Sequence, residues 1–321
     1  MILNKIKCIN NRVFLTVLLL VTSVNIGAQQ VPLNPVSYRI FSPYIFNPAI
    51  TGSKDFTTID FLYGTSGKSS SQIIGGNMRF SKPGPEYFSA ITNPLFTKIG
   101  FGGYFYNDEN ELSQNLGFGV SGSYHFQINK NASSFLSVGL SAKMNSHRNS
   151  GDTDGGNTGI NSKTPNFDAG LYFYSAKFFS GLSVTNLLGN PDPDSLGSYV
   201  NPVSRQFFFN AGYKIILSRA LDILAEPSLI INSDDNFSND ILKMVKPAMK
   251  IYAGSFCIGT YFNEFEKIPF FLQYKYSKVT LGTFFEIPYQ SAFYKNPLLA
   301  EFFIGINLSA IKSGFSRGYH W

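Results

Sequence analysis

Charge is what this chain has least of. Only 14% of its 321 residues are Asp, Glu, Lys or Arg, against roughly 25% in soluble domains. A protein dissolved in water needs a charged outside, and there is little here to build one. Cysteine is almost absent too: of the two, Cys8 lies in the first segment, and Cys257 is alone in the rest. With one thiol in the mature chain there is no internal disulfide. The alternating neighbours in "GSFCIGTYF" mark Cys257 as a small hydrophobe on a strand rather than a reactive thiol. Three histidines (His125, His147 and His320) have no second His or Cys at ligand spacing, so no metal site is expected. No basic cluster points to nucleic acid. Beyond residues 13–24, no run reaches the ~18 apolar residues of a spanning helix.

The first segment reads as an export signal. Lys5, Lys7 and Arg12 precede the apolar core "VFLTVLLLVTSV" (13–24), and Ala28 stands before Gln29 as a cleavage site. The expected leader is 1–28. Cys8 precedes the apolar core, which excludes a lipoprotein signal. Removing three positive charges from the formal +6 leaves 6 − 3 = +3 on the mature chain. An exported chain with no anchoring helix can enter a membrane only as a closed barrel.

What the chain does have is aromatics (16%, with 32 Phe and 18 Tyr), 29 Gly, and a period of two. In "NFDAGLYFYSAKFFSGLSVTN" (166–186), Phe167, Ala169, Leu171 and Phe173 oppose Asn166, Asp168, Gly170, Tyr172 and Tyr174. The pattern breaks at "SAK" and resumes: a hairpin. The same alternation predicts fourteen strands, at 55–64, 70–81, 98–107, 115–127, 133–145, 166–175, 178–187, 203–216, 220–231, 241–252, 255–263, 268–276, 278–287 and 299–309. Runs of about ten residues suit a tilted strand crossing a bilayer. The apolar faces then meet lipid, and the Gly/Ser/Asn/Tyr faces line a crowded, polar interior. A soluble sandwich or lipocalin-like barrel would instead expose those Gly/Ser faces to water, where they make a poor surface.

The connections divide in the same sense. Tight turns such as "INKNA", "SAK", "LSRA", "AGS" and "YSK" alternate with longer links, among them 146–165, 188–202 and 288–298. That is the asymmetry of short periplasmic turns and long external loops. One long link, 82–97, falls on the short-turn side. The predicted organisation is a leader at 1–28, an N-terminal arm or plug at 29–54, and an all-β outer-membrane barrel at 55–321. The arm holds "NPVSYRIFSPYIFNPAITGS" (34–53), with three prolines and four aromatics. Pro43 and Pro48 cannot donate to a ladder, so it is not a strand. Tyr38, Phe41, Tyr44, Phe46, Asn47 and Pro48 are the candidate contacts of this arm with the barrel or a partner.

Chemical motifs are few. "SGDTDGGNTG" (150–159) looks like a calcium loop, but the twelfth position from Asp152 is Lys163 where a bidentate Glu is needed. "NSDDNFSND" (232–240) reads as a loop tip. The glycine-rich "GFGGYF" precedes no helix, so it is no phosphate loop. Serines are too many for any Ser/His pair to signal a hydrolase. No catalytic residue and no cofactor is expected.

Several stretches together carry a resemblance. "SPYIFNPAITGS" (42–53), "GFGGYFYNDENELSQNLGFGVSGSYHFQ" (100–127), "FLSVGLSAKMN" (135–145) and "PNFDAGLYFYSAKFFSGLSVTNLLGNP" (165–191) are similar to the PorP/SprF family of outer-membrane proteins of the Bacteroidota. The resemblance implies a non-enzymatic barrel of type IX secretion and gliding motility. Its implied partners are outer-membrane lipid, translocon components, and the C-terminal region of a secreted, adhesin-like surface protein. Two stretches depart from the family: 61–72 has no tryptophan, and 306–321 closes on Phe315, Tyr319 and Trp321. The alternative is a porin or hydrophobic-solute channel.

Overall fold

The structure is a computed structural model, and it describes residues 40–54, 57–79, 99–110, 113–129, 134–149, 161–188, 205–234, 244–262, 267–288 and 299–308. The leader at 1–28, Tyr38, His320, the link 82–97, the 150–159 motif and the closing segment lie outside those residues.

Fifteen strand segments make one antiparallel sheet. They are β1 (Thr58–Ser66), β2 (Ser69–Arg79), β3 (Ile99–Glu109), β4 (Ser113–Asn129), β5 (Ser134–Asn149), β6 (Asn161–Tyr174), β7 (Phe178–Thr185), β8 (Gln206–Tyr213), β9 (Ile215–Ser218), β10 (Ile223–Asp234), β11 (Val245–Ala253), β12 (Phe256–Tyr261), β13 (Lys267–Tyr276), β14 (Val279–Pro288) and β15 (Leu299–Asn307). Sequence neighbours pair in turn except β8 and β9, and β15 returns to β1 through eight residue pairs from Thr58↔Asn307 to Thr65↔Ala300, which closes the barrel. Lys214 interrupts one stave. β8 pairs with Ser228–Asp234 of β10, and β9 with Ile223–Ala225 of the same strand. The two segments are therefore one wall position, and the barrel has fourteen staves. All fourteen predicted strands are present. Closure removes the free sheet edges that hydrocarbon could not satisfy.

The outward face is the predicted one. Phe118, Val120 and Phe126 on β4, Val138 and Leu140 on β5, and Phe167 and Leu171 on β6 are all exposed, while Ser121, Ser123, Ser137, Ser141, Asn166 and Asp168 between them are buried. On β4 this apolar band runs from Leu116 to Ile128, and its midpoint, Gly122, pairs with Leu140. Leu140→Arg should therefore destabilise the barrel by about 2–4 kcal/mol, the range for a midplane cation, while Leu116→Arg, at the band's outer edge, should cost about 0–1 kcal/mol. Urea titration of folding into lipid vesicles measures both; equal costs would misplace the band.

Two features differ from the sequence expectation. β4, β5 and β6 run to 17, 16 and 14 residues rather than about ten. Their ladder continues past the apolar band into polar pairs such as Gln114↔Arg148 and Asn115↔His147, so the link expected from 146 begins beyond Asn149. The interior is also not polar throughout. From β11 round to β2 the lumen face carries Tyr252, Cys257, Tyr261, Phe271, Phe284, Phe303, Leu62 and Ile73, packed as one cluster. These strands are apolar on both faces, so alternation alone did not separate lumen from lipid.

Candidate functional site

The lumen is occupied by the segment before β1. Proline opens each of two 3-10 turns, Pro43–Ile45 and Pro48–Ile50, where its fixed φ fits and no amide hydrogen is missed. Asn47 caps the second turn: its Oδ1 accepts from Ala49 N at 3.0 Å, and its Nδ2 donates to Leu171 O at 3.1 Å on β6. A single side chain thus sets the turn and ties it to the wall.

A row of wall groups receives the turn. Ser137 Oγ donates to Ala49 O at 2.6 Å, Ser123 Oγ to Thr51 O at 2.6 Å, and Thr51 Oγ1 meets Ser121 Oγ at 2.9 Å. His125 Nε2 lies 3.0 Å from the same Thr51 carbonyl. A carbonyl only accepts, which assigns the proton to Nε2 and leaves Nδ1 to accept from Tyr174 Oη at 3.0 Å. Tyr174 Oη in turn takes a close bond from Arg79 Nη2. On the other flank Ser42 Oγ donates to Asp60 Oδ2 at 3.1 Å. Glycines give the backbone room to approach: a Cβ on Gly139 would overlap the Pro48–Ala49 peptide, and one on Gly170 would overlap Asn47 Oδ1. These partners lie in the halves of β4, β5 and β6 next to the short turns, so the segment fills that half of the barrel.

The other side of the plug is held by rings. Phe41 stacks on Phe303 (centroids 4.6 Å apart, planes 8° apart) and meets Phe271 edge-on at 6.3 Å. Phe46 tilts against Phe208 at 5.4 Å. A cavity of about 80 Å³ remains between plug and wall, lined in part by Phe46, Asn47, Phe208, Asn210 and Lys250. Burial, with the Asp60 carboxylate and Tyr104 adding to it, holds the Tyr44 phenol well above its ordinary range, so it stays a neutral hydroxyl.

Of the predicted arm residues, Phe41, Tyr44, Asn47 and Pro48 are buried and Phe46 is half-buried. Their partners among the described residues belong to the barrel itself. The wall residues that receive them (Ser121, Ser123, His125, Ser137, Gly139, Gly170) were not singled out together from sequence. The available signal was the small-residue face of β4, β5 and β6, at one depth in three successive strands.

Ser123 Oγ and His125 Nε2 are 2.9 Å apart, the spacing of a nucleophile and base. Both face the lumen, both are buried, and both are engaged by Thr51 O. The pair clamps the plug to the wall. Among the described residues no three of His, Cys, Asp and Glu gather to hold a metal ion.

A closed barrel with an apolar belt and a plugged lumen defines an outer-membrane barrel protein. Residues 28–306 match the family model described as type IX secretion system membrane protein PorP/SprF. The chain belongs to that family, and its place is the outer membrane. No curated protein matches the chain. Among solved structures it is similar to "KdgM porin", with 9% identity over 78% of this chain and 99% of that one at a TM-score of 0.38. It is also similar to BamA from Haemophilus ducreyi lacking POTRA domains 1–3, with 11% identity, 79% and 71% coverage and a TM-score of 0.38. A third is outer membrane phospholipase A from Escherichia coli, with 10% identity, 79% and 92% coverage and a TM-score of 0.35.

Proposed function

We propose that this barrel helps export or anchor a secreted surface protein by binding its C-terminal region, acting as a closed platform and not as a pore or an enzyme. Family membership supplies the secretion system. The observation that carries the closed-platform reading is the seated segment 40–54, backed by the aromatic cluster across the lumen. A porin keeps a wet passage lined by polar side chains, and half of this lumen is packed with rings.

In this reading the N-terminal arm acts as a built-in plug. Phe41, Tyr44, Phe46, Asn47 and Pro48 serve the barrel, and the client meets other surfaces. The test is deletion of the gene. A specific surface protein should disappear from the cell surface while permeability to small antibiotics stays normal, and the purified barrel should not conduct ions in planar bilayers. Steady conductance, with every surface protein retained, would establish the channel reading instead. An epitope inserted within 150–160 should be reached by antibody on whole cells; access only after the envelope is opened would invert the topology.

A further inference from the structure

The two flanks of the plug meet the wall differently. Its described hydrogen bonds run to β1, β2, β4, β5 and β6: Ser42 to Asp60, Gly52 N to Asn77 Oδ1, Thr51 to Ser121, Ser137 to Ala49 O, and Asn47 to Leu171 O. The flank toward β7, β8, β10 and β11 instead presents rings and the cavity of about 80 Å³. Two wall rings border that space without filling it, because each leans over the glycine it pairs with, Phe179 over Gly212 and Phe271 over Gly259.

The polar groups of the lining narrow what fits there. A cavity of this size has room for about five waters, each wanting two to four polar partners. Most of the polar side chains around it are already engaged: Asn47 by Ala49 N and Leu171 O, Lys250 by Glu226, and Tyr261 Oη by Glu286. Ser183, Asn210 and Ser228 remain, too few to hold the space full of water. Ser183 is the informative one. It is 2% exposed, lines the cavity, and its Oγ has no hydrogen-bond partner among the described residues. A buried hydroxyl without a partner is costly, and among rings it offers an occupant one polar point in an apolar surround.

Charge narrows the choice further. Among the described lining residues Lys250 alone is charged, and its Nζ is 3.2 Å from Glu226 Oε1. An anion would have to displace that carboxylate, and a cation would face the ammonium. The occupant that suits this border is neutral.

We propose that the cavity binds an uncharged, ring-sized molecule with a single hydroxyl group, its ring among Phe46, Phe208 and Phe271 and its hydroxyl on Ser183 Oγ. Ring edges and faces on three sides favour an aromatic occupant over an aliphatic one. The site goes beyond the export reading. A barrel that binds nothing here could still export, and one that exports nothing could still bind.

The test titrates the full-length barrel, in phosphatidylcholine nanodiscs, with 4-fluorophenol followed by fluorine NMR line broadening; protein-free discs give the unsaturable partition into lipid. Saturable binding to the barrel is expected. Fluorobenzene, which lacks the hydroxyl, should bind about fivefold more weakly, the worth of one hydrogen bond, and 4-fluorobenzoate should show no saturable binding. Ser183→Ala should bring 4-fluorophenol down to the level of fluorobenzene. Ala248→Leu, which adds bulk to the cavity from β11, should weaken both ligands by about tenfold or more; unchanged heat-modifiable gel mobility shows that each variant folds. A wild-type barrel with no saturable binding beyond that of the discs would overturn the proposal. So would an undiminished preference for the hydroxyl in Ser183→Ala, or unchanged binding by Ala248→Leu, since each puts the ligand elsewhere.

Discussion

Valine at position 139 should drive the plug off the wall. Gly139 faces the lumen, and its missing Cβ is replaced by the carbonyl carbon of Pro48 and the amide of Ala49. Those are backbone atoms in a proline-fixed turn, so neither can rotate away. A flexible side chain would yield at small cost; here the turn or the strand must move. The strand is held on both sides by ladders to β4 and β6, and valine itself favours a strand. The turn is therefore what gives. With it go the bonds that Ser137 makes to Ala49 O and that Ser123 and His125 make to Thr51 O. A Thr51→Cys reporter should be protected from maleimide in the otherwise wild-type barrel, because Thr51 is fully buried; Cys257, also fully buried, gives a low background. In Gly139→Val the reporter should label rapidly, with overpacking itself costing roughly 1–3 kcal/mol. Gly122→Val is the control, since its Cβ would meet nothing within 4 Å on the lipid face. Continued protection of Thr51→Cys in the Gly139→Val barrel would mean that the plug is not held where its contacts place it.

That experiment probes a feature the sequence disclosed only in part. Pro43 and Pro48 show that 34–53 is not a wall strand, and its ring content shows that it packs against something. They do not show that it turns into the lumen, because that depends on serines and glycines whose role appears only when β4, β5 and β6 are laid side by side. The fourteen staves were legible for the opposite reason. Leu116, Phe118 and Val120 alternate with glycines on one strand, and the period of two needs no knowledge of neighbours. Phe271, Phe284 and Phe303 defeated the same logic. In "PFFLQY", "TFFEI" and "EFFIGI" aromatic and aliphatic residues occupy both faces, so which ring turns inward follows only from register against β12 and β1. The break at Lys214 was equally hidden, since its strand reads as one continuous run from 203 to 216.

The second large effect belongs to Asp168, in the hairpin that most clearly announced the barrel. Its carboxylate is wholly buried in the lumen. One oxygen, Oδ1, is 2.7 Å from Lys143 Nζ and accepts from Asn186 N at 2.8 Å; the other accepts from Ser141 Oγ at 2.7 Å. Three strands' worth of structure meet on it, and the Asn186 contact has a particular consequence. Asn186 adopts a left-handed φ of 60°, which asparagine tolerates better than most residues. The chain there steps past one pairing position, so that Leu187 N donates to Phe167 O at 2.9 Å and Leu188 N to Asn166 Oδ1 at 3.1 Å. Asp168→Ala removes the anchor of that step and leaves the Lys143 ammonium nearly buried with its carboxylate gone. The expected loss is about 3–5 kcal/mol, as for other buried pairs broken from one side, read as a lower urea midpoint for unfolding. Hydrogen exchange at the amides of 186–188 should accelerate in the same variant. Asp168→Asn keeps an oxygen acceptor for Asn186 N and turns its NH2 toward Ser141 Oγ, which can accept from it, so it should protect those amides while still losing the charge partner of Lys143. The pair's net worth is a separate quantity from the cost of breaking it. Asp168→Leu with Lys143→Met removes both charges and should recover much of the stability, although the 186–188 amides stay unprotected. If the double variant is no more stable than Asp168→Ala, the stranded ammonium is not the source of the loss, and the anchoring of Asn186 carries it instead.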